Sequence, residues 1–210
     1  MVLNRKQATE QNAQAPDRGL RDRKKALTKQ AIEEAASDLF LERGFDETTV
    51  QDIAERAVVS RRTFFRYFTS KEEVLFAGER EEIRRAGGVL ASRPAEESLL
   101  ASLEHAITAL ANAYSHDRDH RLARARLITD HPSLSGAHLQ LLSELEKEVV
   151  GFVGTRLDLP SDDPQVRLVA GTAVVVYRVS VDRWVRSNGR EGLPDLIHTN
   201  LSRVASGSLF

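Results

Sequence analysis

The chain has no cysteine in its 210 residues, which excludes disulfide frameworks, thiolate zinc ribbons and thiol catalysis. It also lacks a long apolar run. The greasiest stretch, Leu168 to Val181, is broken by Arg178 and falls short of the ~18 to 20 apolar residues that a membrane span needs. A buried helix accounts for it, and no membrane partner is expected. The first twenty residues are polar, with no apolar core of signal-peptide length, so the cytoplasm is the expected location. No glycine-rich phosphate loop occurs, and no segment sustains the period-two alternation of a half-buried strand. The histidines form no catalytic set. His116 and His120 stand four apart, but in a very polar pentad with no Glu after the first His, which reads as a solvated loop rather than a metal-binding helix. His131, before Pro132, reads as a capping or hydrogen-bonding residue, and His105, His138 and His198 have no paired carboxylate or nucleophile. No catalytic residue, metal or cofactor is expected.

What is present is helical periodicity. The net charge of −1 hides an asymmetry: residues 1–71 carry 14 Lys/Arg against 11 Asp/Glu, and residues 72–210 carry 16 against 20. The basic excess concentrates at Arg18, Arg21, Arg23, Lys24, Lys25 and Lys29. Residues 1–20 lack periodicity and read as a flexible arm. From about Asp22 to Arg43, Ile32, Ala35, Ala36, Leu39 and Phe40 repeat at i, i+3, i+4, i+7, i+8, predicting a long helix that ends at Gly44 with Phe45 packed back onto it.

The stretch from Thr48 to Phe76 is the most informative. Val50, Ile53, Ala54 and Ala57 give a short helix one apolar stripe. Val58 and Val59 form a turn, and Ser60 can cap the helix Arg61-Arg62-Thr63-Phe64-Phe65-Arg66-Tyr67-Phe68. Phe64 and Phe68, four apart, plug the core and leave Arg61, Arg62, Phe65, Arg66 and Tyr67 to the other faces. Guanidinium groups there suit phosphate oxygens and guanine edges. Ser70-Lys71-Glu72-Glu73 spells a capping box, so a fourth helix should begin near Lys71 and run to about Arg93, bent at Gly87-Gly88 and stopped by Pro94.

Beyond Pro94 the chain reads as an antiparallel helical bundle. Leu100, Leu103, Ile107, Leu110 and Tyr114 form one stripe; Leu142, Leu145, Val149 and Phe152 form another. Helices over about 164–188 and 194–205 each open near a proline. The first is apolar around most of its circumference, so one face needs a cover, which a partner subunit supplies most simply. The domain reading is an arm over 1–20, a helix-turn-helix DNA-binding head over 21–70, and a helical dimerisation body over 71–210.

These residues resemble the TetR family of transcriptional regulators. The resemblance rests on Leu39-Phe40-Leu41-Glu42-Arg43-Gly44-Phe45, Thr48-Thr49-Val50, Asp52-Ile53-Ala54, Val59-Ser60, Thr63-Phe64-Phe65, Tyr67-Phe68 and Ser70-Lys71-Glu72. It implies an all-α homodimer joined through its last two helices, with a three-helix head on double-stranded DNA and a body that binds a small-molecule effector. Such a protein is a repressor released from an inverted repeat. More loosely, Arg124-Ala125-Arg126-Leu127-Ile128, His131-Pro132-Ser133-Leu134 and Tyr177-Arg178-Val179-Ser180-Val181-Asp182-Arg183-Trp184 resemble a subgroup with an acyl-CoA-like ligand-binding domain, pointing to an amphiphile as effector.

Carried over by position, the DNA contacts fall on Thr49, Ser60, Arg61, Arg62, Thr63, Phe65, Arg66, Tyr67 and Lys71. Thr49, Tyr67 and Lys71 are expected on phosphates, and one of Arg61 and Arg62 on guanine. Phe65 either completes the head's core or meets a thymine methyl or sugar. The candidate effector-lining residues are Leu103, Ile107, Leu110, Tyr114, Leu127, Leu145, Phe152 and Tyr177, with core packing as the alternative for each. The family usually has Gly where Val58 stands, at a position that often adopts positive φ, so a strained or re-shaped turn is expected there.

Overall fold

The computed structural model describes residues 15–113 and 118–208. Among them the chain forms helices α1 (Ala15–Arg43), α2 (Val50–Arg56), α3 (Arg61–Tyr67), α4 (Lys71–Leu75), α5 (Ala77–Ala91), α6 (Leu99–Ala113), α7 (Arg118–Asp130), α8 (Ser135–Leu157), α9 (Pro164–Arg186) and α10 (Leu193–Ala205), with a 3-10 turn at Pro132–Leu134 and no strand. Two compact units divide between Leu75 and Phe76.

In the head, Ile32, Ala35, Ala36, Leu39 and Phe40 of α1 are all buried. The helix closes at Gly44, at φ +89°, a conformation that costs glycine little. Phe45 folds back with its ring 5.1 Å from that of Phe40. α1 starts at Ala15 rather than near Asp22. Pro16 is tolerated because it falls in the first turn, where its missing N–H costs nothing. Residues 15–20 are therefore helical rather than part of an arm, and residues 1–14 lie outside the described residues.

Thr49 caps α2 through a reciprocal box: its Oγ1 accepts from Asp52 N at 3.2 Å, and its N–H donates to Asp52 Oδ2 at 2.8 Å. The helix ends in a Schellman turn, with Val59 N–H donating to Ala54 O at 2.9 Å and Val58 N–H to Glu55 O at 3.1 Å. That pattern places Val58 at C′, and it does adopt φ +55° while 91% exposed. No packing compensates a β-branched side chain in the left-handed region. Ser60 then caps α3, accepting from Thr63 N at 3.0 Å.

The fourth helix differs from the sequence expectation. Ser70 Oγ accepts from Glu73 N at 3.2 Å, but Glu73 reaches back to Thr69, accepting from its N–H at 2.6 Å and its hydroxyl at 2.7 Å. The helix stops at Leu75, the backbone at Phe76 flattens to ψ 4°, and α5 restarts at Ala77 and runs through Gly87 and Gly88 without a break. The unit boundary accordingly lies five residues beyond Ser70.

Lys71 fastens α4 inside the head. Its Nζ lies 2.7 Å from Phe45 O, 3.0 Å from Thr48 O and 3.4 Å from Asp46 O, and 4.2 Å from the centroid of the Phe45 ring. Three protons meet three carbonyls of the loop that follows α1, and the ring face completes the cation's surroundings. The side chain expected on phosphate is thus engaged by its own chain.

In the body, α8 packs on α5 and α9, α9 on α10, α10 on α6 and α6 on α5. Leu103, Ile107, Leu110, Leu145 and Val149 are core, whereas Leu100 turns outward. Arg118–His120 begin α7 rather than a loop, while His116 and Asp117 lie outside the described residues. His131 hydrogen-bonds Leu127 O at 2.7 Å, as its place before Pro132 suggested. No helix of the described chain is long and apolar enough to cross a membrane.

Two outcomes test the head's construction. Val58→Gly should raise stability by about 1 kcal/mol by removing left-handed strain, read as a higher melting temperature; a lower one contradicts it. Lys71→Ala should cost about 1–3 kcal/mol in urea unfolding, since carbonyls lose a charged donor. A Lys71 serving phosphate alone would leave unfolding unchanged.

Candidate nucleic-acid interface and effector cavity

Burial of Phe64 and Phe68, 0% and 3% exposed, orients α3. Their rings sit 5.9 Å apart, and the remaining positions follow from 3.6 residues per turn. Arg61, Arg62 and Arg66 are exposed. Phe65 is 48% exposed and meets Phe64 edge-on at 5.4 Å, so it does not complete the core. The Arg61 guanidinium lies 5.9 Å from the Phe65 ring and that of Arg66 5.1 Å from Tyr67. Thr63 is half-buried, its hydroxyl 2.9 Å from that of Ser60.

Charge compensation separates this face from Arg56, Arg43 and Lys29. Arg56 pairs with Glu42 at 2.7 Å, Arg43 with Asp52 at 3.5 Å and Lys29 with Glu33 at 3.3 Å. The Arg56 hydrogen bond holds the Glu42 carboxyl below its ordinary range. Among the described residues no carboxylate pairs with Arg61, Arg62 or Arg66. Three unneutralised guanidinium groups on one short helix form an electropositive surface with rigid, forked donors.

Ser60, Arg61, Arg62, Phe65, Arg66 and Tyr67 are thus brought together on or beside α3. Thr49 and Lys71 are not equivalent to them. The Thr49 hydroxyl donates to Asp52 Oδ2 at 2.6 Å, which draws the Asp52 carboxyl down in pKa. Lys71 is held by carbonyls. Capping by Thr49 was readable from Thr-x-x-Asp; the Lys71 acceptors, being backbone, left no mark in the sequence.

The body contains a cavity of about 60 Å³ lined by α5, α7, α8 and α9. Of the described effector-lining candidates only Tyr177 faces it; Leu110, Leu145 and Tyr177 line an adjoining pocket of about 20 Å³. Phe152 instead lines an open groove of about 770 Å³ beside Leu90 and Gly151, under the Arg156 guanidinium at 5.0 Å. Leu103 and Ile107 are buried core and Leu127 is half-buried; none of the three lines these cavities. Tyr114 lies outside the described residues.

Sequence reasoning missed the cavity's polar wall: Glu79, Arg121, Arg124, His138, Arg178 and Asp182. The Arg121 and Arg124 spacing of i, i+3 on one helix was the available signal. Arg124 Nη2 donates to Glu79 Oε2 at 2.5 Å, both largely buried, and Arg121 lies 3.7 Å from Glu82. Burial pushes the His138 imidazole down in pKa, against the nearby carboxylates of Asp182 and Glu79.

Residues 32–77 match the family model described as bacterial regulatory proteins of the tetR family, and residues 97–209 match that of the MftR C-terminal domain. The chain is 32% identical over 174 residues to the HTH-type transcriptional regulator TcmR of Streptomyces glaucescens, covering 79% of this chain and 76% of TcmR. Among solved structures, Thermus thermophilus FadR in complex with lauroyl-CoA is 28% identical with a TM-score of 0.55, covering 87% of this chain and 95% of that one. FadR from Bacillus subtilis in complex with stearoyl-CoA shares the fold, at 20% identity and a TM-score of 0.61 over 85% of this chain and 98% of that one. With both halves matched and a relative of this identity across most of its length, the chain belongs to the TetR family of DNA-binding transcriptional regulators.

Proposed function

We propose that the protein is a homodimeric repressor that reads an inverted repeat through α3 and leaves it when the body binds an amphiphilic effector. One observation carries the DNA assignment: the Ser60-capped helix presents Arg61, Arg62 and Arg66 without carboxylate partners, while Arg43 and Arg56 of the preceding helices are paired with Asp52 and Glu42. Arg61 and Arg62, at the N-terminal end of α3, read base edges in the major groove, and Arg66 and Tyr67 hold phosphates. Phe65 meets a thymine methyl or sugar. Thr49 and Lys71 serve the scaffold, because their donors are already taken.

The dimer reading is supported by α9, where Leu168, Val175 and Val179 are 72%, 48% and 44% exposed. At i, i+7 and i+11 they lie on one face, and a second copy would cover it. The amphiphile reading draws on the lauroyl-CoA bound by the Thermus relative and on the cavity between α5, α7, α8 and α9. α5 follows the head directly in the chain, so a ligand that favours one position of α5 acts on the head's presentation only through its differential affinity.

Salt titrations on matched and mutated operators test the assignment. Arg61→Ala or Arg62→Ala should lose about 1–3 kcal/mol at the base it reads and relax preference there, whereas Arg66→Ala should weaken all duplexes alike with a shallower salt slope. Identical behaviour of all three would contradict it. Val175→Glu should convert a dimer to a monomer in sedimentation and weaken inverted-repeat binding; an unchanged dimer would move the interface elsewhere.

A further inference from the structure

Two atoms on the cavity wall are buried without a hydrogen-bond partner: Arg124 Nε and His138 Nδ1. Arg124 is an obligate donor at Nε, and Glu79 engages its Nη2 only. Burial lowers the pKa of His138 and so favours its neutral form, in which Nδ1 donates in one of the two tautomers. Buried polar atoms left unpartnered are uncommon in folded proteins; Arg124 Nε calls for an acceptor, and so does His138 Nδ1 in its protonated tautomer. Around them the wall is apolar, with Ala125, Ile128, Leu141, Leu142 and Val181. Its charged groups are three guanidinium groups, Arg121, Arg124 and Arg178, against two carboxylates, Glu79 and Asp182. Glu82, behind Arg121 at 3.7 Å, balances the third guanidinium, so it is the idle donor edge of Arg124 rather than a net charge that favours an anion.

We propose that this cavity recognises a short-chain carboxylate, its head bound by Arg124 and His138 and its chain laid along Ala125, Ile128 and Leu141, and that the head competes with Glu79 for Arg124. The assignment deepens the effector reading above and rests on it. A guanidinium donates to two oxygens side by side, so the ligand enters at the idle Nε edge and loosens the existing bond as it takes the second position. About 60 Å³ holds roughly four or five waters' worth of space, enough for a carboxyl group and a few carbons.

Glu79 lies on α5 and Arg124 on α7, so the exchange replaces a link between two helices by a link from one helix to the ligand. Arg121 and Glu82 join the same pair of helices at 3.7 Å, a separation too long for a hydrogen bond. The Arg124–Glu79 contact is therefore the tighter of these two links between α5 and α7. Its loss loosens α7 from α5, while α5 stays packed on α6 and α8 and tied to α8 by Arg80 and Glu144 at 3.1 Å.

The test compares hexanoate, hexan-1-ol and hexanoyl-CoA on the full-length protein by calorimetry, alongside operator release by fluorescence anisotropy. Hexanoate should bind at least about 10-fold more tightly than hexan-1-ol, the scale of one charge-assisted hydrogen bond. Glu79→Gln, nearly isosteric, should bind hexanoate more tightly than wild type. Arg124→Met should abolish the preference over hexan-1-ol. Equal binding of acid and alcohol would overturn the proposal, leaving an apolar or water-filled cavity, and so would weaker hexanoate binding by Glu79→Gln. Binding or operator release by hexanoyl-CoA alone would overturn it while leaving the effector reading standing. Hexanoate binding without operator release by any of the three would support the carboxylate site and sink the effector reading.

Discussion

A seven-residue helix cannot sustain itself in water, because nucleating the first turn fixes several dihedrals for a single hydrogen bond. α3 exists because Phe64 and Phe68 are withdrawn into the head, and that burial, about 2–3 kcal/mol for one such ring, also dictates everything the helix shows outward. With two positions four apart committed inward, Arg61, Arg62, Phe65 and Arg66 have only the solvent side left. The Ser60 cap sets where the helix begins, and hence which residues stand at its N-terminal end, where positive dipole and guanidinium charge add. The exposed face of α3 and the core beneath it are two sides of one constraint.

The framework that presents α3 is polar at each joint. The Thr49–Asp52 box opens α2, the Schellman turn closes it, Ser60 opens α3, and Thr69 with Ser70 and Glu73 opens α4. Each joint satisfies donors or carbonyls that a helix end leaves orphaned. Lys71 adds a fastening across the loop between α1 and α2, so the head's geometry does not rest on apolar packing alone. Val58 is the one joint that works against the local backbone, a left-handed residue with a branched side chain in open solvent. The hydrogen bonds of Val58 and Val59 outweigh that strain and hold the turn.

Much of this was legible because caps and stripes are local. Gly44 and Val58 take the positive φ that their positions implied, and Phe64 and Phe68 turn inward as their spacing required. What the sequence concealed was non-local or backbone-borne. Lys71 finds carbonyls 23 to 26 residues earlier, and carbonyls are the same on every residue. The break at Phe76 carries no glycine or proline, while Gly87 and Gly88, which do look like a hinge, stay helical. The effector-lining candidates were chosen for apolarity, yet apolar stripes mark core first; hence Leu103 and Ile107 pack away, and the cavity's identity lies in Glu79, Arg121, Arg124 and His138, drawn together from three helices.

The body's α7 is held in an unusual way. Leu122 and Ala125 are its buried residues, Leu127 and Ile128 are half-buried, and beside them it is held by charged or polar contacts: Arg124 to Glu79, Arg121 towards Glu82, Arg118 to Asn188 O at 3.0 Å and Arg126 to Asn188 Oδ1 at 2.6 Å. A helix anchored by apolar interdigitation resists displacement because every shift opens voids. One anchored by discrete charged contacts can exchange them one at a time. A hydrogen bond to a charged group is worth about 1.5–3 kcal/mol, and couplings between effector and target sites typically amount to about 1–3 kcal/mol. Exchange of one arginine contact on α7 is therefore of the size that a switch needs, with no rearrangement of the core between α8, α9 and α10.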